Sequence, residues 1–206
     1  MVLFPFFEDI KDKNILIVGG GKVAEEKFFR LYQFSHRIKI VTKELLFAPP
    51  KNVDVLLKEF EAEDLERIHI CIAATNNRET NQKIHDLCHG KGIRVNVVDD
   101  PKLCDFIFPS LVKKGDLVMG ISTAGKAPAI ASLLREKLEE ALPEATEDIM
   151  ESLGSIRPYL VKKIPNHKLR GAVMKKLFSA MLLENRSFSK SECRAFVDLY
   201  MEEENE

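Results

Sequence analysis

Short apolar runs alternate with helical patterns over the first hundred residues. Five runs rich in branched aliphatic residues predict buried strands, at 15–18, 38–41, 53–57, 68–73 and 93–98. Apolar residues recur at helical spacing at 23–31, residues 79–88 predict a second helix, and residues 59–67 favour a weaker one. Four apolar residues at the start are expected to pack as an edge strand or turn: Leu3, Phe4, Phe6 and Phe7. Strands that alternate with helices predict an α/β fold with a parallel sheet.

A glycine turn joins the first predicted strand to the first predicted helix. Gly19, Gly21 and Ala24 match the pattern G-x-G-x-x-A, which in this setting indicates a dinucleotide-binding βαβ unit. Gly19 permits the tight turn, and Gly21 allows the backbone to approach a pyrophosphate at the positive end of the helix dipole. The alternative is a glycine-rich turn that binds no ligand. The fold class predicted from this unit is a Rossmann-like parallel-sheet nucleotide-binding domain.

Polar residues that follow two of the predicted strands are further candidates for cofactor binding. Thr42, Lys43 and Glu44 follow the second strand, where an acidic residue usually binds the adenosine ribose. The Thr42 hydroxyl suits a ribose, whereas Lys43 either favours a 2′-phosphate or is only solvated, so the choice between NAD and NADP stays open. Thr75 and Asn76 follow the fourth strand, and they either contact the cofactor or form a helix cap and turn.

Asp99 lies at the predicted carboxyl end of the fifth strand, near the expected cofactor cleft. A partly desolvated carboxylate at this position is a candidate general base. The alternative is that Asp99 or Asp100 caps the turn before a proline. The pattern by itself favours neither of these two interpretations.

The pattern changes after residue 105. Residues 106–112 and 117–122 predict two strands about a turn, and a proline opens a helix at 128–142 that is apolar along one stripe. Helical patterns then occupy 146–162, 166–184 and 189–203. The predicted C-terminal region is therefore all-helical.

Composition narrows the class of protein. The 206 residues carry a formal net charge of −1, which argues against a general nucleic-acid binder. Four cysteines without paired spacing favour free thiols and a cytoplasmic location. Neither a signal peptide nor a stretch long enough to span a membrane is expected. Although His85, Cys88 and His89 share a helical face, no second ligand cluster accompanies them, and we predict no metal site.

Five segments together resemble one known family, the siroheme synthases. They are Gly-Gly-Gly-Lys-Val-Ala-Glu-Glu-Lys at 19–27, Ala-Ala-Thr-Asn at 73–76, Asn-Val-Val-Asp at 96–99, Phe-Ile-Phe-Pro-Ser at 106–110 and Leu-Leu-Arg-Glu-Lys-Leu at 133–138. More narrowly, the chain resembles the precorrin-2 dehydrogenase module, which occurs alone or fused to a methyltransferase. We expect no methyltransferase domain in a chain of this length.

The resemblance implies NAD-dependent oxidation of precorrin-2, a tetrapyrrole, to sirohydrochlorin on the route to sirohaem. Some members also insert ferrous iron into sirohydrochlorin, so a bifunctional ferrochelatase is one alternative and a non-catalytic dinucleotide-sensing module is another. The resemblance also implies that Asp99 is the catalytic aspartate. It places nucleotide contacts at Lys22 and Val23, and at Lys43 and Glu44.

A homodimer is the last feature that the resemblance implies, with residues 114–145 shared between the subunits. The chain then has three predicted parts: an NAD-binding Rossmann domain at 1–113, a dimerisation segment at 114–145 and a helical C-terminal domain at 146–206. The apolar stripe of the helix at 128–142 also calls for a partner surface. Thr123 stands where some fused relatives carry a phosphorylatable serine, and its modification stays open.

Overall fold

The computed structural model of the chain describes residues 3–203. These residues form two compact units, Phe6–Phe108 and a second unit that begins at Pro109 and includes residues 3–5. Each unit has its own hydrophobic core. Residues 1 and 2 of the predicted Rossmann domain and residues 204–206 of the predicted helical domain lie outside the described residues. The division of the chain into three parts stays a prediction.

A five-stranded parallel sheet forms the centre of the first unit. The strands are β1 (Ile15–Val18), β2 (Ile38–Thr42), β3 (Asp54–Leu57), β4 (Ile70–Ala73) and β5 (Arg94–Val97). Their order in the sheet is β3-β2-β1-β4-β5, and every neighbouring pair is parallel. All residues of β1 and β4 are buried. The predicted α/β fold with a parallel sheet is confirmed.

Two helices cover the two faces of this sheet. Helix α1 (Lys22–Tyr32) buries Phe28 against one face, and helix α2 (Arg78–Lys91) buries Ile84 against the other. Coverage on both faces explains why β1 and β4 are continuously apolar instead of alternating. The strand order reverses between β1 and β4, and ligands of such sheets bind beyond the carboxyl ends of the strands at this reversal.

Two local predictions are wrong. Residues 59–67 form only the short 3-10 helix Ala62–Leu65, because the Asp64 carboxylate accepts the Glu61 N–H at 2.9 Å and closes a single capped turn. The first apolar residues form no strand, and their phenyl rings at positions 4, 6 and 7 are exposed. Later residues occupy the outer edge of β5 instead, since Asp105 N–H donates to the Val95 carbonyl at 2.9 Å.

The second unit joins a two-stranded hairpin to four helices. Strands β6 (Ser110–Lys114) and β7 (Leu117–Ile121) pair antiparallel about a turn in which Gly115 has φ +55°. The helices are α3 (Pro128–Ala141), α4 (Thr146–Lys163), α5 (His167–Glu184) and α6 (Lys190–Glu203). The all-helical C-terminal region is therefore confirmed. None of the helices in the described part of the chain has the length and apolar character to cross a membrane.

Replacing Phe28 by alanine is expected to lower the free energy of unfolding by about 3–5 kcal/mol, the usual range for a large core side chain. Phe28 is fully buried, and its ring lies 5.2 Å from Tyr32 and 5.8 Å from Phe47 between centroids. Phe29→Ala is the matched control, because Phe29 is 43% exposed and its loss should cost about 1 kcal/mol. Urea unfolding followed by circular dichroism measures both variants, and equal losses would contradict this placement of the core.

Candidate functional site

Two positions in the glycine turn after β1 have no room for a side chain, because the backbone of other loops lies against them. Gly19 has φ +126°, and a Cβ there would lie 2.3 Å from the Ala74 carbonyl oxygen. A Cβ on Gly20 would lie 2.0 Å from the Glu44 carbonyl oxygen. The loops that follow β2 and β4 therefore lie directly against the turn, and both positions require glycine. The role of Gly20 was not predicted from the sequence. The uninterrupted run of three glycines was the feature that could have indicated it.

Gly21 faces open space instead. A Cβ at this position would meet no atom within 4 Å. Gly21 is also the N-cap of α1, and within residues 3–203 no side chain caps this helix end. The first N–H groups of α1 are thus available to a ligand beside an open space, which is the arrangement that receives a pyrophosphate. The residues of this turn fit a dinucleotide.

The loop after β2 places Thr42 and Glu44 at the turn. The buried Thr42 hydroxyl donates to the Glu44 carbonyl at 2.7 Å and accepts the Glu44 N–H at 3.4 Å. Its proton is therefore used within the loop, and a ribose hydroxyl can only donate to it. Lys43 is exposed, and its Nζ lies 2.5 Å from the Glu59 carboxylate. Lys22 and Val23 are exposed in the first turn of α1.

Thr75 belongs to a hydrogen-bond network at the start of α2. Its N–H and hydroxyl both donate to the Asn81 side-chain oxygen, at 3.2 and 2.6 Å, and Asn81 Nδ2 donates to the Thr75 carbonyl at 3.0 Å. Asn77 caps α2 by accepting the Thr80 N–H at 2.9 Å, and Asn76 is exposed. The network holds the loop that contacts Gly19. The role of Asn81 was not predicted. A polar residue on the apolar face of α2 was the feature that could have indicated it.

Asp99 lies in the turn after β5, where it is exposed and has a left-handed backbone with φ +63°. Asp100 caps this turn, because its carboxylate accepts the Lys102 N–H at 3.3 Å. The Cys104 thiol donates to the Val97 carbonyl at 3.1 Å and holds the returning chain against β5. Among the residues that the structure describes, no hydrogen bond or ion pair engages the Asp99 carboxylate, so it is available to a ligand.

Lys27 lies near this turn, although the sequence motifs do not single it out. Its Nζ lies 4.3 Å from the centroid of the Phe108 ring. Burial lowers the pKa of the Lys27 ammonium, while the nearby carboxylates of Glu26 and Asp99 act in the opposite direction. The Lys27 ammonium therefore lies on an aromatic ring, within the electrostatic influence of the Asp99 carboxylate.

The helical face with His85, Cys88 and His89 forms contacts within the protein. The two imidazole rings lie 4.3 Å apart, and His89 Nε2 lies 3.2 Å from an Asp105 carboxylate oxygen. Cys88 is buried and belongs to the same hydrophobic core cluster as Cys71. Over residues 3–203, no group of three or more histidine, cysteine or acidic side chains is arranged to hold a metal ion.

Two family models match the chain. One is described as "Putative NAD(P)-binding" and covers residues 6–110, and the other is described as "Sirohaem biosynthesis protein central" and covers residues 114–141. The first match contains the glycine turn, the loops that contact it and Asp99. The unit built on the parallel sheet is therefore a binding domain for a nicotinamide dinucleotide.

Curated relatives align over most of the chain. The siroheme synthase of Zymomonas mobilis subsp. mobilis is 36% identical over 186 residues, covering 88% of this chain and 40% of that protein. The siroheme synthase of Ruthia magnifica subsp. Calyptogena magnifica is 35% identical over 207 residues, covering 98% of this chain and 44% of that protein. The chain thus spans about two fifths of the length of these curated relatives.

A solved structure shares the fold. It is "SirC, precorrin-2 dehydrogenase", with a TM-score of 0.71 and 20% sequence identity, and the match covers 97% of this chain and 100% of that one. Similarity at this identity shows a common fold, and the family is shown by the sequence comparisons. One family model covers half of the chain, a second covers the segment after it, and the aligned relatives share one name. The resemblance stated from the motifs is confirmed, and the chain belongs to the siroheme synthase family.

Proposed function

We propose that this protein oxidises precorrin-2 to sirohydrochlorin with NAD as the hydride acceptor. The observation that carries the proposal is that the open glycine turn after β1 and the unengaged Asp99 carboxylate after β5 follow strands of one parallel sheet. The carboxyl ends of such strands meet at one edge, where cofactor and substrate bind. The names of the aligned siroheme synthases and of the SirC structure support this reaction.

The reaction removes a hydride and a proton from the partly reduced macrocycle. When bound, the nicotinamide ring supplies the acceptor for the hydride. The glycine turn and the N-terminus of α1 bind the pyrophosphate, and the loop with Thr42 and Glu44 lies toward the ribose. Asp99 accepts the proton and later returns it to water. No side chain of the described residues competes for its carboxylate, so it is free to act as the base.

NAD is favoured over NADP by the charges beside the loop after β2. Lys43 is the cation nearest in sequence to the expected 2′-position, and its ammonium already pairs with Glu59 at 2.5 Å. Glu44 follows directly and adds a carboxylate, which repels a phosphate. A 2′-phosphate would have to displace Glu59 and tolerate Glu44, whereas a ribose hydroxyl avoids both costs.

A homodimer that forms through residues 114–145 is the second part of the proposal. Four residues of α3 lie along one stripe and are between 38% and 50% exposed: Ile130, Leu133, Leu134 and Leu138. Ala131 is the buried residue of this helix, so α3 uses its small face within the unit and presents its large apolar side chains outward. An exposed apolar stripe marks an interaction surface, and two copies of one stripe can pack about a two-fold axis.

Gly21→Asp should weaken NAD binding by about a hundredfold or more while the melting temperature stays close to that of the wild type. The new Cβ meets no atom, but the carboxylate would face the pyrophosphate. Gly20→Ala is the informative comparison, because its Cβ overlaps the Glu44 carbonyl and should lower stability as well as binding. Calorimetric titration with NAD and thermal unfolding separate the two effects. Unchanged NAD affinity in Gly21→Asp would contradict the proposed pyrophosphate site.

Asp99→Asn should lower the turnover of precorrin-2 by about a hundredfold or more, because asparagine keeps the shape but cannot take the proton. NAD affinity and thermal stability should stay unchanged. Asp100→Asn is the matched control, since Asp100 caps the turn and should affect stability more than turnover. Steady-state oxidation under anaerobic conditions measures both variants. If the protein also inserts iron, both activities should fall in Asp99→Asn, and full turnover by this variant would exclude Asp99 as the base.

Leu134→Glu should convert the protein from a dimer to a monomer at micromolar concentration, because a carboxylate in the centre of the stripe cannot be buried against its copy. Leu183→Glu is the matched control: it makes the same change on α5 at a leucine that is 88% exposed, outside the proposed interface. Sedimentation velocity measures the mass of each form. A monomeric wild type would contradict the proposed dimer.

A further inference from the structure

Lys27 occupies a position on α1 where an apolar residue is expected. Ala24, Phe28 and Leu31 are the buried residues of this helix, and Lys27 shares their face because it follows Ala24 by three residues. Side chains on a helix lean toward its N-terminus. The long Lys27 side chain therefore extends toward the glycine turn and the carboxyl edge of the sheet, where the proposed reaction takes place.

An aromatic ring holds the Lys27 ammonium at that edge. The Nζ atom lies 4.3 Å from the Phe108 centroid, which is within the range of a cation–π interaction. The Phe108 ring is itself packed beside Phe106, with 5.8 Å between centroids. One side of the ammonium thus rests on the Phe108 ring, which leaves its N–H donors for other groups.

No anion in the described part of the chain completes this environment. Glu26 and Arg30 on α1, and Asp99 and Cys104 on the segment after β5, are the charged and titratable groups that act on the ammonium. Among the described residues, the Lys27 ammonium forms no ion pair with a carboxylate. Burial lowers the pKa of Lys27, so its charge is held at an energetic cost. An arriving anion would remove that cost.

We propose that Lys27 binds a carboxylate side chain of the tetrapyrrole substrate and thereby places the macrocycle beside Asp99. This inference rests on the proposed function, and it names a residue that recognises the substrate. The ammonium would donate to the substrate carboxylate while the Phe108 ring keeps it in place. A cofactor phosphate offers similar anionic chemistry, so binding of the two ligands has to be measured separately.

The test uses two substitutions at this position and one control. Lys27→Met keeps the apolar stem over Phe108 and removes the charge, whereas Lys27→Arg keeps the charge. Lys83→Met makes the same change as the first variant at an exposed lysine on α2. Three quantities are measured on the full chain: sirohydrochlorin binding by anaerobic absorbance titration, kcat and KM for precorrin-2, and NAD affinity by calorimetry. Thermal unfolding shows whether each variant is folded.

Lys27→Met should raise the Kd for sirohydrochlorin and the KM for precorrin-2 about tenfold or more, the scale of one hydrogen-bonded charge. Its kcat should change less than its KM, and NAD affinity should stay within about twofold. Lys27→Arg should restore substrate binding to within a few fold, and Lys83→Met should match the wild type. Added salt should weaken binding to the wild type more than to Lys27→Met.

Separate outcomes overturn this inference and the proposed function. Tetrapyrrole binding that is equal in Lys27→Met and the wild type would overturn the role of Lys27 while precorrin-2 oxidation stands. A loss of NAD affinity in Lys27→Met would assign the ammonium to the cofactor instead, which also overturns the inference. A wild type that binds sirohydrochlorin through Lys27 but does not oxidise precorrin-2 would overturn the proposed reaction alone. A wild type that binds no tetrapyrrole would overturn the inference.

Discussion

Contact between three backbone segments at the carboxyl edge of the sheet is the constraint on which the site depends. The carbonyl oxygens of Ala74 and Glu44 occupy the positions that Cβ atoms of Gly19 and Gly20 would need. A hydrogen bond also joins the turn to the loop after β2: the Leu46 N–H donates to the Gly20 carbonyl at 2.8 Å. The contacts involve backbone atoms, so they set the position of the turn independently of side-chain rotamers. They also leave the N-terminus of α1 open to a ligand.

At β5, structural and chemical roles fall to neighbouring residues. Asp105 and Cys104 accept hydrogen bonds from β5 and hold the chain that returns along it. Asp100 caps the turn between β5 and this returning chain. Asp99 takes the left-handed backbone conformation that the turn requires, which aspartate tolerates better than most residues. Its carboxylate takes part in none of these described bonds. The turn is thus ordered by its neighbours, while Asp99 remains available for the proton transfer that we propose.

In the second unit, α3 presents an apolar stripe and is bonded to the hairpin. Lys114 Nζ donates to the carbonyls of Leu142 and Pro143 at 3.3 Å each, which ties the end of α3 to strand β6. Ala131 faces the interior of the unit, and its small size allows a close approach of the helix. The large side chains of α3 are left about half exposed in one chain. The proposed dimer would bury this apolar stripe away from water, which a single copy cannot do.

The five parallel strands, the glycine turn and the family could be predicted from the sequence, because apolar runs, helical periodicity and motif spacing are local properties that need no contact information. The edge strand expected among the first apolar residues did not form. The sequence also placed Asp99 at the end of β5, but it left open whether Asp99 acts as a base or whether Asp99 or Asp100 only caps the turn. The tertiary structure was needed to show that Asp100 caps the turn, that position 20 requires glycine and that the Lys27 ammonium lies on an aromatic ring. Gly20 is restricted by the carbonyl of Glu44, and Lys27 rests on Phe108, 81 positions later in the chain. These contacts join atoms that only folding brings together, so residue type and spacing along the chain do not predict them.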